Sequence, residues 1–162
     1  MPTRLHTAEV ALPLPPPAVF QLLITPSAIR QWWQAARAIV LPEKGGTWAA
    51  TWGENEDDPN YITVAKISEF DPPRRLTLTD YSYRAKTGPL PFQADFTTTF
   101  TVEPHGRGSL LRVVQDGFPG DAFADDFYAG CERGWRQTLE NITAYCRENC
   151  HGTGPLAALL KN

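Results

Sequence analysis

Cysteine is scarce in this sequence: three residues in 162, an odd number, all near the C-terminal end at Cys131, Cys146 and Cys150. Such a set excludes a disulfide-stapled scaffold. Cys146 and Cys150 lie one helical turn apart, but His151 merely adjoins them and no further Cys or His stands at ligand spacing, so neither a metal nor a cofactor is expected. Clustered Lys and Arg are missing too. With a formal net charge of -3, the chain lacks the basic surface that phosphate binding requires, which excludes nucleic acid as a partner. No window approaches the ~20 apolar residues of a membrane span. Near Met1 no charged leader precedes an apolar stretch, and Pro13, Pro15, Pro16 and Pro17 interrupt the segment. Membrane insertion is therefore not expected, and a reduced, cytoplasmic setting is. No repeat or low-complexity linker divides the chain, whose length suits one domain over 1–150 with a tail over 151–162.

What the chain does have is aromatic bulk, with five Trp, eight Phe and five Tyr destined for a core, a pocket or both. Its most informative segment is 121–149, where Phe127, Cys131, Trp135, Leu139, Ile142 and Cys146 recur at three- or four-residue steps. That stripe predicts an amphipathic helix of about 40 Å, long enough to cross a small domain, N-capped by Asp121 with Asp125 and Asp126 at the positive end of its dipole. Gly152 is placed to close it, and 155–160 offers a short apolar tail able to pack on the body or on a second subunit.

Ahead of this helix the periodicity is two. Ala8, Val10 and Leu12 alternate with Thr7, Glu9 and Ala11, predicting a first strand. The prolines at 15–17 and the Thr25-Pro26 pair then open two short helices, carrying Val19, Phe20, Leu23 and Ile24 on one and Ile29, Trp32 and Trp33 on the other. Strands are expected over 38–41, 47–52, 61–70, 75–81, 93–103 and 109–118, with turns at 43–46, 71–74 and 104–108. Residues 81–91 predict a longer connection near the mouth of a cavity. The acids Glu54, Glu56, Asp57 and Asp58 read as a solvated loop, because their spacing lacks the ligand order and turn glycine of a calcium loop. Arg112 and Asp116 share a strand face and are expected to form a solvated pair.

The sequence resembles the START-like or SRPBCC superfamily, in the branch named after the activator of the heat-shock-protein-90 ATPase. The resemblance rests on Val19-Phe20, the run from Pro26 to Trp33, Gly45-Gly46-Thr47-Trp48, Asp71-Pro72-Pro73-Arg74-Arg75-Leu76, Asp116-Gly117-Phe118 and the run from Gly134 to Ile142, in the family's order along nearly the whole chain. It implies an α+β helix-grip fold: a curved antiparallel sheet of about six to seven strands, two short helices after strand one, and the long C-terminal helix across the sheet. It also implies a cavity between sheet and helix, with Trp32 and Trp33 at its rim. One frame serves lipid carriers, hormone receptors, polyketide cyclases and co-chaperone domains, so function does not follow from the fold. Members that are full chaperone activators carry a further domain ahead of this one, whereas here the first strand begins just after Met1; chaperone stimulation is not the expected role.

The expected function is non-catalytic binding of a small hydrophobic or aromatic molecule. Candidate wall residues are Trp32, Trp33, Trp52, Phe96, Phe100 and Trp135, with Tyr83, Gln115 and Tyr128 as hydrogen-bonding groups; each aromatic is also accounted for by core packing alone. His6, His105 and His151 are dispersed, and none has a Ser or Cys partner at local spacing, so no nucleophilic triad is read and no catalytic residue is assigned. A polyketide-cyclase-like enzyme, a chaperone-contacting domain and a homodimer are the alternatives.

Overall fold

The computed structural model describes residues 3–88 and 95–149. The tail over 151–162, with His151 and Gly152, lies outside them, as do Cys150, Gln93, Ala94 and the Pro89–Pro91 part of the expected connection.

Strand β1 spans Thr3–Leu12 and is followed by α1 at Pro16–Ile24 and α2 at Pro26–Trp32. Six more strands come next: β2 (Arg37–Val40), β3 (Thr47–Trp52), β4 (Tyr61–Asp71), β5 (Arg75–Ala85), β6 (Thr97–His105) and β7 (Gly108–Pro119). A single 3-10 turn at Ala122–Ala124 then leads into α3, Asp125–Asn149. All seven strands form one antiparallel sheet in the order β1-β7-β6-β5-β4-β3-β2. The three helices share one core with the inner face of this sheet, as the helix-grip arrangement requires. No helix among the described residues is long and apolar enough to cross a membrane.

Alternation places Leu12, Trp48, Ala50, Ile67, Leu76, Leu78, Phe100, Val102, Leu111 and Val113 inward, where they meet Phe20, Leu23, Ile29 and Trp32 of the short helices. From α3 come Leu139, Ile142 and Cys146, the C-terminal half of the predicted stripe. Each large side chain buried here stabilises the fold by roughly 2–3 kcal/mol on area bookkeeping. At the other end of the helix, Arg4 clamps α3 to β1: its guanidinium reaches Asp125 at 2.7 Å and stacks 4.5 Å from the centroid of the Tyr128 ring, whose hydroxyl donates to the carbonyl of Leu5 at 2.8 Å.

Several local expectations are corrected. Thr25 does stand at the N-cap of α2 ahead of Pro26, but it caps with its backbone carbonyl, which accepts from the N–H groups of Ala28 and Ile29, and its hydroxyl makes no cap bond. Helix α3 begins at Asp125 because the 3-10 turn, not an α-turn, comes after Asp121. Strand β5 runs to Ala85, beyond Tyr81, paired with β4 throughout. Arg112 pairs with Glu9, its cross-strand neighbour in register, while the Asp116 carboxylate accepts from the Gly117 N–H at 2.7 Å. The acidic loop, by contrast, is exposed as expected, and Glu56 and Asp58 form surface ion pairs with Arg37 and Lys86.

Of the three register shifts among the described residues of the sheet, two shape the wall of its inner face. Between β4 and β5, Asp80 and Tyr81 together oppose Ala65, and Asp80 takes a φ of 53°. Between β1 and β7, Asp116 and Gly117 together oppose Leu5. Gly117 has a φ of 95°, and a Cβ there would meet the carbonyl oxygen of Asp95 at 2.1 Å, so only glycine fits without displacing the backbone. Each bulge adds one residue to its strand and reverses the inward and outward parity beyond it.

Candidate functional site

The inner face of the sheet and α3 do not close on one another along the whole helix. Around the N-terminal half of α3 they leave a half-open hollow of about 260 Å³. From the helix, Phe127, Cys131, Gly134, Trp135 and Thr138 line it; the sheet side contributes Thr63, Tyr81, Tyr83, Gln115 and Phe118, with Phe96 just before β6. Trp33, at the end of α2, closes one side.

Two aromatic groups flank the space. Trp33 is in ring contact with all four other tryptophans: stacked on Trp32 at 5.6 Å, tilted on Trp48 at 5.2 Å and on Trp135 at 5.4 Å, and edge-on to Trp52 at 4.9 Å. Three of these indoles are anchored through their N–H groups, Trp32 to the carbonyl of Leu22 at 2.9 Å, Trp48 to that of Leu23 at 3.0 Å and Trp52 to that of Trp33 at 3.1 Å. The second group is the triangle Phe96, Phe118 and Phe127, with centroid separations of 4.9, 5.6 and 5.9 Å.

Between them runs a line of polar atoms. The Tyr81 hydroxyl donates to Thr98 Oγ1 at 2.7 Å, and the Gln115 amide nitrogen donates to the same oxygen at 3.3 Å. Gln115 Oε1 lies 2.9 Å from Nε2 of His6, a ring 3% exposed that also packs against Phe118 at 5.4 Å. Acceptance by the amide oxygen fixes the proton on Nε2. Burial holds the Tyr81 hydroxyl far above the ordinary tyrosine range, despite the opposing bond to Thr98. Burial likewise raises Tyr83, with smaller contributions from Tyr61 and Cys131, and pushes the Cys131 thiol up to about 11. Thr138 turns its hydroxyl back to the Gly134 carbonyl at 2.7 Å.

Of the residues singled out in the sequence, Trp33, Tyr83, Phe96, Gln115 and Trp135 line the hollow. Trp32 and Phe100 are 1% exposed in the core, Phe100 supporting Trp135 edge-on at 5.6 Å. Trp52 supports Trp33 from behind, and Tyr128 serves the clamp between α3 and β1. Reading the sequence missed Thr63, Tyr81, Phe118, Phe127, Cys131, Gly134 and Thr138 on the wall, and His6 behind it. The signal for His6 was present, since it shares the parity of Ala8, Val10 and Leu12. Phe127 and Cys131 stand on the predicted helix stripe itself.

Residues 13–147 match the family described as Activator of Hsp90 ATPase homolog 1-like protein. The chain belongs to this family. Solved structures agree with that assignment at the level of the fold. Protein MLL2253 from Mesorhizobium loti is 21% identical, with a TM-score of 0.69 over 98% of this chain and 97% of that one. The Mll3558 protein from Rhizobium loti is 24% identical, with a TM-score of 0.69 over 88% and 96% of the two chains. A protein from Rhizobium leguminosarum is 19% identical, with a TM-score of 0.71 over 91% and 97%. None of the curated proteins matches the chain.

Proposed function

We propose that this member of the family holds a small apolar or aromatic molecule between the sheet and α3, in the cytoplasm, and does not transform it. The observation that carries this reading is the hollow of about 260 Å³ walled by indole and phenyl rings from both layers. A concave, mainly apolar space with a few placed polar groups is what a small-molecule site requires, and its volume sits just under the roughly 300 Å³ at which drug-sized sites begin. Each ring that a guest covers adds apolar area removed from water, at about 25 cal/mol per Å².

The ionisable groups on the wall favour holding over chemistry. A cyclase-like enzyme, the main alternative, needs groups that exchange protons near neutral pH. Tyr81, Tyr83 and Cys131 are all displaced upward, away from that range. A chaperone-contacting or dimerising role would use exposed apolar surface instead, and Ile39 and Leu41 beside the β2 edge, 67% and 52% exposed, are where such a contact would fall.

The test is a titration with the neutral lipophilic fluorophore N-phenyl-1-naphthylamine. The wild type binds one equivalent saturably. Gly134 borders the hollow and a Cβ added there meets no atom within 4 Å, so Gly134→Phe adds a ring at the hollow's edge without moving the backbone. This variant keeps its fold and loses at least about tenfold in probe affinity, while Ile39→Ser, on the exposed surface away from the wall, binds as the wild type does. No saturable binding by the wild type, or equal binding by Gly134→Phe, contradicts the proposal.

A further inference from the structure

The polar groups of the wall are arranged in a way that hydrophobic packing does not call for. Gln115 is held at both ends, its oxygen by His6 Nε2–H at 2.9 Å and one amide hydrogen by Thr98 Oγ1 at 3.3 Å. An amide nitrogen carries two hydrogens, so one N–H is left for the hollow that Gln115 lines. Tyr81 spends its hydroxyl hydrogen on Thr98 and keeps its oxygen lone pairs as an acceptor on the same wall. One donor and one acceptor therefore flank the space, tied together through a threonine that is 0% exposed.

A single hydroxyl satisfies both, accepting from the Gln115 N–H and donating to the Tyr81 oxygen. A carboxylate satisfies only the first, and no Lys, Arg or His stands among the described residues of the wall to balance its charge. Burying such an anion unpaired would be costly. The flanking rings and a volume of about 260 Å³ suit a flat guest of about two fused rings.

We infer that Gln115 and Tyr81 select neutral aromatic molecules bearing a phenol-type hydroxyl, with Thr98 and His6 as positioning residues. This inference rests on the binding role proposed above and deepens it: the aromatic walls supply affinity, and the amide and phenol pair supplies the choice among aromatic guests. A site built to hydrogen-bond a hydroxyl disfavours the analogue lacking it, because its own polar groups are then left unpaired.

Displacement of N-phenyl-1-naphthylamine by 2-naphthol, naphthalene and 2-naphthoate tests it. In the wild type 2-naphthol binds about tenfold more tightly than naphthalene, and 2-naphthoate more weakly than 2-naphthol. Gln115→Met and Tyr81→Phe each remove most of the preference for 2-naphthol while naphthalene affinity changes by less than about twofold, which also shows that the hollow is intact. Thr98→Val loses the preference and Thr98→Ser restores it, a rescue that a purely steric role for Thr98 would not produce. Equal binding of naphthalene and 2-naphthol by the wild type overturns the inference and leaves the container standing. Tighter binding of 2-naphthoate overturns the neutral selection. If no compound displaces the probe, the selection falls; if the probe itself does not bind, the container falls with it.

Discussion

Trp33 brings the chain's five tryptophans into one assembly, touching each of the other four while presenting part of its own surface to the hollow. Of the adjacent pair ending α2, Trp32 is the structural member and Trp33 the one available to a guest, a division of labour set by which side of a short helix each occupies. Cys131 makes the opposite point about chemistry. Its thiol lies on the wall, yet desolvation raises its pKa from 9.0 to about 11, so at neutral pH it stays protonated and a poor nucleophile. The folded state keeps this proton longer than the unfolded chain does, so the stability linked to it is intact below pH 9 and is lost as pH rises toward about 11. Alkylation of Cys131 by iodoacetamide, followed by peptide mass spectrometry, is therefore expected to be slow at pH 8 in the folded protein, fast in denaturant, and faster in the folded protein as pH increases. A rate that levels off near neutral pH would show an activated thiolate instead.

At the scale of elements, the helix stripe and the strand alternation were legible because burial on one side imposes a fixed period, and α3 and β6 obey it: Phe96, Thr98, Phe100 and Val102 all face inward as their parity requires. The sheet side of the wall was legible mainly where that parity persists, Tyr83 being the one wall residue singled out beyond a bulge. Beyond Asp80 the bulge in β5 carries Tyr81 and Tyr83 inward, although strict alternation from Leu76 and Leu78 assigns odd-numbered residues to the outer face. Beyond Gly117 the bulge in β7 does the same for Phe118, after Leu111, Val113 and Gln115. A single inserted residue leaves almost no mark on hydrophobic periodicity, which is why Tyr81 and Phe118 escaped notice while Gln115 did not. Asp116-Gly117-Phe118 stood out as a family-like triplet, and the structure supplies its physical reason. Gly117→Ala must place a methyl group within 2.1 Å of the Asp95 carbonyl oxygen at a φ of 95°. It is expected to cost about 1–3 kcal/mol in urea denaturation and to weaken probe binding by disturbing Phe118 and Gln115 together. An alanine variant with wild-type stability and affinity would mean that the bulge is not needed to shape the wall.

For the whole molecule, α3 performs two tasks in succession. Its C-terminal half, through Leu139, Ile142 and Cys146, seals the core, and its N-terminal half, through Phe127, Cys131 and Trp135, stands off from the sheet over the hollow. The clamp from Arg4 to Asp125 and from Tyr128 to Leu5 fixes the stand-off end, so the gap is bounded on both sides by firm contacts. The long helix and its sheet were visible in the sequence as patterns. The space between them was expected from the resemblance alone, and its size and lining were not legible, because volume left unfilled depends on how two surfaces diverge and periodicity carries no record of that. The most direct measurement of the central claim is a set of intermolecular nuclear Overhauser effects in the complex with 2-naphthol. Contacts from the guest's ring protons to Trp33, Trp135 and Phe118 are the predicted result; contacts confined to exposed Ile39, Leu41 or Phe123, or none at all, would contradict it.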